Sequence, residues 1–256
     1  MGDGLLFSPN FSMKKNRILF YCGDADRGNS VNGLPYSKII DAIDELAQKN
    51  GFNNIQCAPP RSKLVGDKVF GKAIALDKYF KILDRVNDKI STLQMYAEAV
   101  YNKLLGYGRE PLFKKRKSIS SHIIYYWLMH KYRPKAIIAI EPPIEFCKAA
   151  KILGIKMIEP LHGLGYSEEI PWGYKERRNT ELPSHLISFD HTSTSTFSAL
   201  KKKGVQIIEM DHPWYNTEIG KKYVSEKRAL NFLPSGDKKY KKIILLSLVW
   251  GFGDDV

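Results

Sequence analysis

The chain has few cysteines and no long apolar run. Its 256 residues include only Cys22, Cys57 and Cys147, an odd number at wide spacing. That pattern argues against a disulfide framework or a zinc site, so we interpret all three as small buried hydrophobic residues. The longest apolar stretch, residues 243–250, is far shorter than the ~20 residues that cross a bilayer. We therefore expect no transmembrane segment.

A signal-peptide pattern is also lacking. No positive residue precedes the apolar pair Leu5–Leu6, and the first two lysines follow it at positions 14 and 15. This order is the reverse of a secretory signal, so we expect a cytoplasmic protein in which residues 1–12 are a dispensable leader.

Positive charge is concentrated in one segment. The chain carries 40 Lys and Arg against 27 Asp and Glu, and residues 61–135 hold seventeen basic against six acidic side chains. This excess indicates an anionic partner such as a membrane face or a phosphorylated acceptor, the alternative being a solvated helix surface. No nucleic-acid-binding motif accompanies it, so we do not expect a nucleic-acid partner.

Short apolar runs alternate with helical periods along most of the chain. The pattern predicts an α/β fold, a Rossmann-like and mostly parallel sheet with helices on both faces. We predict strands over residues 17–22, 54–58, 135–140, 155–159, 185–189 and 205–209, and helices over 35–49, 144–153 and 192–203, the last with a Ser/Thr cap. A long amphipathic helix over 77–105 and a second helix from Ser118 to before Pro134 form a basic helical insertion at 61–134.

The last residues suggest a second domain. Residues 235–242 are rich in lysine and resemble a linker, and residues 243–248 form an apolar run followed by a Gly-rich stretch. Such a strand and turn are how a Rossmann-like domain begins. We predict one domain over 13–234 and the start of a truncated second domain over 235–256, the alternative being that this strand joins the edge of the first sheet.

Polar residues follow the predicted strands at their carboxyl ends, where open α/β sheets bind ligands. Glu141 leaves a buried strand, His162 lies in a Gly-rich turn and titrates near neutral pH, and Asp211 with His212 forms an acid/base pair. The catalytic candidates are thus Glu141, His162 and Asp211. The substrate-binding candidates are Gly23, Asp24, Arg27, Gly163, Gly165, Tyr166, His191 and His212. Each is also consistent with a cap or turn role.

Known catalytic motifs do not narrow this choice. No GxGxxG fingerprint, nucleophile elbow or HxxEH-like metal motif occurs, which weakens dinucleotide-binding, hydrolase and metalloenzyme hypotheses. We predict no bound metal.

Several segments together resemble the N-terminal domain of bacterial GT-B glycosyltransferases of capsule and lipopolysaccharide biosynthesis. They are PLHGLGY (160–166), PW (171–172), LPSHLISFD (182–190), DHPW (211–214) and KKIILLSLVWG (241–251). The resemblance implies a nucleotide-sugar donor as co-substrate, no further cofactor, and a surface-polysaccharide or lipid-linked acceptor. It implies that this first domain contacts the acceptor and often supplies the base, whereas a second domain binds the donor, so a chain truncated in that second domain should turn over little or nothing by itself. Segment 61–135 would then contact an anionic acceptor at the inner face of the cytoplasmic membrane.

Two other functions remain open. One is polyol-phosphate transfer of the teichoic-acid type, in which a histidine also acts as base. The other is a non-catalytic module that binds a membrane or a partner through its basic helices.

Overall fold

The computed structural model describes residues 16–105, 121–163, 165, 166, 170 and 173–225, and it contains one seven-stranded sheet. The sheet strands are β1 (Arg17–Tyr21), β4 (Asn53–Ala58), β5 (Ile74–Ala75), β6 (Ala136–Ala139), β7 (Lys156–Pro160), β8 (His185–Ser188) and β9 (Gln206–Glu209). The strands β2 (Asn29–Val31) and β3 (Leu34–Tyr36) form a separate antiparallel hairpin. In the sheet the order is β5-β4-β1-β6-β7-β8-β9, and every neighbouring pair is parallel. The predicted Rossmann-like sheet is confirmed.

Helices cover both faces of the sheet, as expected. They are α1 (Ile40–Lys49), α2 (Asp77–Leu105), α3 (His122–Tyr132), α4 (Ile144–Ile152), α5 (His191–Phe197) and α6 (Glu218–Ser225). Successive residues of a strand point to opposite faces. Leu19 of β1 therefore joins a buried cluster with Phe146 of α4, while Phe20 packs on the other face with Ile40 of α1. After Arg17, every residue of β1 is buried, as is usual for a central parallel strand that is covered on both faces.

The predicted helix over 35–49 is wrong in its first turn. Leu34–Tyr36 is the second strand of the hairpin, and α1 begins only at Ile40. Asn32 and Gly33 connect the two hairpin strands with φ values of 51° and 78°. An Asn-Gly pair adopts such left-handed conformations readily and is the strongest short-range hairpin signal. That local signal outweighs the preference of Pro35 for a helix start.

The helix predicted over 192–203 also differs in detail. It starts at His191, and the residue that caps it is Asp190, whose carboxylate accepts the Ser193 N–H at 2.8 Å. The predicted Ser/Thr cap is therefore wrong. After Phe197 the chain tightens into a 3₁₀ helix, Ser198–Lys203, which ends at Gly204 with φ of 80°.

The predicted insertion at 61–134 contains a short strand of the main sheet. Ile74 and Ala75 pair in parallel with Cys57 and Ala58, so β5 extends the sheet before α2 begins. Two residues are too few to show an alternating pattern in the sequence. The predicted bounds of α2 are confirmed, whereas Ser118 and the proposed second domain over 235–256 lie outside the described residues.

The three cysteines are buried and unpaired, as expected. Among the described helices, none is long and apolar enough to cross a membrane.

Candidate functional site at the carboxyl edge of the sheet

The order of the strands defines a crevice next to β1. From β1 the chain passes through α1 to β4 on one side, and it later places β6 on the other side of β1. The direction of winding therefore reverses between β1 and β6. In open α/β sheets, ligands bind beyond the carboxyl ends of the strands at such a switch point.

Three side chains from three different strand ends meet at this crevice. Asp26 lies in the loop after β1, Glu141 follows β6, and His162 follows β7. The imidazole Nδ1 of His162 lies 3.4 Å from Asp26 Oδ1, and its Nε2 lies 3.2 Å from Glu141 Oε1. His162 is therefore held between two carboxylates, at an edge where its side chain remains 31% exposed.

The two carboxylates change the protonation of His162. The hydrogen bond to Asp26 is the largest cause and raises the pKa of the imidazole above its usual value; partial burial opposes this, and the charges of Glu141, Asp26 and Glu159 add to it. The imidazolium thus persists to higher pH than for an isolated histidine. The site offers a charged donor below this pKa and an oriented base above it.

A buried carboxyl group lies directly behind this cluster. Glu159 of β7 is 1% exposed, and its Oε1 accepts the backbone N–H of Glu141 at 3.2 Å. The Tyr174 hydroxyl lies 2.7 and 2.6 Å from its two oxygens. Burial raises the pKa of Glu159 to about 8, against the opposing effect of these hydrogen bonds. Most Glu159 is therefore uncharged at neutral pH.

Glu141 is held in an unusual conformation. Its φ is 46°, a left-handed value that is strained for a residue with a Cβ atom. The bond from its N–H to Glu159 supports this conformation, which brings its carboxylate to His162. The side chain is 45% exposed, although the strand that it leaves is buried. Glu159 is the buried carboxyl at this site.

The turn that carries His162 is anchored to the start of α5. The N–H of Gly165, which has a φ of 72°, donates to Asp190 at 3.2 Å, and the N–H of Tyr166 donates to Ser193 Oγ at 3.1 Å. The Tyr166 hydroxyl folds back over Gly163, where an added Cβ would lie only 2.6 Å from it. Gly163 and Gly165 thus allow the compact turn that positions His162 and Tyr166.

Two residues predicted to bind substrate have structural partners. Arg27 is buried, and its guanidinium donates to Asp41 and to Gln56, each at 2.6 Å. The structure thus places this substrate-binding candidate inside the fold, with its guanidinium bonded to protein side chains. Asp24 accepts a hydrogen bond from the Ser62 hydroxyl and another from the Lys63 N–H at 2.9 Å. It joins the loop after β1 to the loop after β4. The neighbouring Gly23 lies beside Asp26.

Other predicted residues lie farther along the same edge. Asp211 and His212 follow β9, which is two strand positions from β7, or about 10 Å at the usual strand spacing. His212 Nδ1 accepts the Trp214 N–H at 3.3 Å, so this histidine caps a 3₁₀ turn. His191 lies 3.5 Å from Glu209, with its side chain 90% exposed. None of the described ion pairs joins Asp211 or His191 to His162.

Sequence reasoning missed the roles of Asp26 and Glu159. A signal for Glu159 was present, because alternate residues of a strand share one face and Glu159 therefore shares the face of the buried Met157. A carboxyl group at a core position of a strand indicates a special environment. No comparable signal marked Asp26, which lies within the 3₁₀ turn Ala25–Arg27, directly before the buried Arg27.

No protein-family model matches the chain, and no curated protein matches it in sequence. Within the part of the chain that the structure describes, no group of three or more His, Cys, Asp or Glu side chains is arranged to hold a metal ion.

Proposed function

We propose that the protein transfers a sugar from a nucleotide-sugar to an acceptor hydroxyl, with His162 as the general base. The observation that supports this proposal most directly is the Asp26–His162–Glu141 cluster at the switch point of a Rossmann-like sheet. A histidine that bonds a carboxylate through one nitrogen and faces a crevice with the other is suited to remove a proton.

Each residue has a defined part in this reaction. Asp26 accepts the Nδ1–H bond, while Nε2 lies 3.2 Å from Glu141 Oε1. The acceptor hydroxyl takes the place of Glu141 at Nε2, and His162 removes its proton as the oxygen attacks the anomeric carbon. The bond from that carbon to the donor phosphate breaks, and the nucleotide leaves with the bonding electrons, as a nucleoside diphosphate from UDP-, GDP- and dTDP-sugars and as CMP from CMP-sugars. Asp26 then stabilises the imidazolium that has formed.

The acceptor in this proposal is an anionic glycan or a lipid-linked chain. The positive excess of residues 61–135 supports an anionic acceptor and peripheral contact with a membrane face. Part of that excess, including the run at 114–117, lies outside the described residues, while α2 itself is nearly balanced, with five basic and four acidic side chains.

A donor panel tests the proposal. A full-length version of the protein is incubated with UDP-, GDP-, dTDP- and CMP-sugars and a lipid-linked acceptor, and nucleotide release and product are measured. We expect His162→Gln to lower turnover by at least ~100-fold, since a general base contributes roughly 10²–10⁴-fold. Asp26→Asn should lower it less, because the base remains present but loses its orienting partner.

The matched control is His130→Gln, which removes an exposed histidine of α3 that is not among the candidate site residues. This variant should retain wild-type turnover. Equal turnover in His162→Gln and the control, or no turnover with any sugar donor, would overturn the proposal. A CDP-polyol in the panel separates sugar transfer from polyol-phosphate transfer, which would use the same base.

A further inference from the structure

The second part of α2 carries an apolar stripe with a repeat of seven residues. Its members follow one another at alternating spacings of three and four: Leu83, Val86, Ile90, Leu93, Ala97, Val100 and Leu104. A helix that covers a globular core usually follows a period of 3.6 residues. A period of 3.5 sustained over three heptads is typical of a helix that packs along another helix as a coiled coil.

Most of this stripe is uncovered. Leu83 is buried at the base of the helix, but Leu93 is 68% exposed and Val100 is 57% exposed. At the base, a groove of about 320 Å³ between α2 and α3 continues the stripe. Its lining is almost wholly apolar and consists of Tyr79, Ile82, Leu83, Val86, Ile123, Ile124 and Trp127. One apolar surface thus extends from the groove along the helix.

The length of the stripe restricts what can cover it. From Val86 to Leu104 it measures about 27 Å at 1.5 Å per residue. Among the other described helices of the chain, the longest is α3 with 11 residues, or about 16 Å. The sequence of residues 106–120 contains two glycines and a proline and has no heptad repeat of its own. Within the part of the chain that the structure describes, the only helix that matches the stripe in length and period is α2 itself, which another molecule can supply.

We infer that the chain forms a homodimer through antiparallel pairing of α2 with α2 of a second copy. With Ile90 opposite Leu93 of the partner copy, the two stripes meet along their length. The positions that flank the seam then place Asn87 opposite Gln94 and Lys89 opposite Tyr96, so no like charges face each other. The far end of each helix reaches the groove at the base of the other, which a parallel pair would leave open.

Sedimentation equilibrium of the full chain tests this inference, which is independent of the proposed function. The wild type should be dimeric, and Leu93→Glu should weaken the dimer by at least ~100-fold, since it places a carboxylate in an apolar seam. The matched control is Met95→Glu, because Met95 is 54% exposed on the same helix but lies off the stripe. This control should remain dimeric, with unchanged helix content for both variants.

A monomeric wild type at about 100 µM, a protein concentration at which even a weak dimer forms, would overturn the inference. A dimer that survives Leu93→Glu would overturn it as well, because the contact would then lie elsewhere. Cysteine cross-linking tests the orientation, since the three native cysteines are buried. A mixture of Val86→Cys and Ala97→Cys chains should cross-link between copies. Cross-linking of Val86→Cys chains alone would contradict the antiparallel arrangement.

Discussion

At the scale of single residues, Asp26 controls the protonation of His162. The hydrogen bond between them is the largest cause of the raised pKa of His162, ahead of the charge of Glu141. We therefore expect Asp26→Asn to lower the pKa of His162, and Glu141→Gln to lower it less. NMR titration of the His162 imidazole in the wild type and in each variant measures both effects. The opposite ranking would show that Glu141 is the main partner.

Glu159 makes stability depend on pH. Its pKa is about 8 in the folded chain, against an ordinary value of 4.5. Because the folded state prefers the uncharged form, this stabilisation is complete below the unfolded pKa and is lost as pH rises through the folded pKa. Glu159→Gln should therefore flatten the decline in unfolding free energy between about pH 5 and 8.

Urea denaturation at several pH values checks this expectation. His162 has a raised pKa too and contributes a decline of the same sign, but only above its ordinary value of 6.5. If the unfolding free energies of the wild type and Glu159→Gln already change differently with pH below pH 6, the cause is therefore the buried carboxyl of Glu159 and not His162. If the unfolding free energy depended on pH identically in both proteins, Glu159 would not be the source of the decline.

At the scale of elements, one buried ion pair joins the loop after β1 to α1 and β4. Arg27 bonds Asp41 of α1 and Gln56 of β4, and its side chain is 1% exposed. Arg27→Met should cost about 3–5 kcal/mol of unfolding free energy, because Asp41 is left as an unpaired buried charge. Lys49→Met is the control, since the Lys49–Glu45 pair is exposed, and it should change stability far less. Similar losses in both variants would contradict this account.

Gly71 leaves room for the side chain of Gln56, which belongs to the buried group that Arg27 and Asp41 also form. An added Cβ there would overlap the amide of Gln56, which also donates to Asp41 at 2.8 Å and to Asp44 at 2.6 Å. Gly71→Ala therefore displaces Gln56, and we expect a loss of about 1–3 kcal/mol from buried groups that lose partners. Chemical denaturation measures it, with Gly33→Asn as control, because Gly33 has open space around it and Asn tolerates its φ of 78°.

At the scale of the whole molecule, the sequence predicted the sheet well and the site only in part. The strands were found because buried parallel strands are short continuous apolar runs, and α2 because its amphipathic pattern is long. His162 and Glu141 were found because strand ends are identifiable. The partners of Arg27 and His162 were not, since they depend on which strands are neighbours. That β1 lies next to β6 is determined by the order of strands in the complete sheet and not by the sequence of either strand alone.

The same order of strands predicts how the molecule opens. β1 lies at the centre of the sheet and is buried on both faces, whereas β9 is an edge strand with three exposed residues of four. Amide hydrogens of central strands exchange only through global unfolding, while edge elements open locally at lower free energy. We expect the Leu19 amide to exchange at least ~100-fold more slowly than that of Ile207. Equal protection, measured by NMR-detected hydrogen exchange, would mean that the sheet opens only as one unit and that its edge near Asp211 is as rigid as the crevice beside β1.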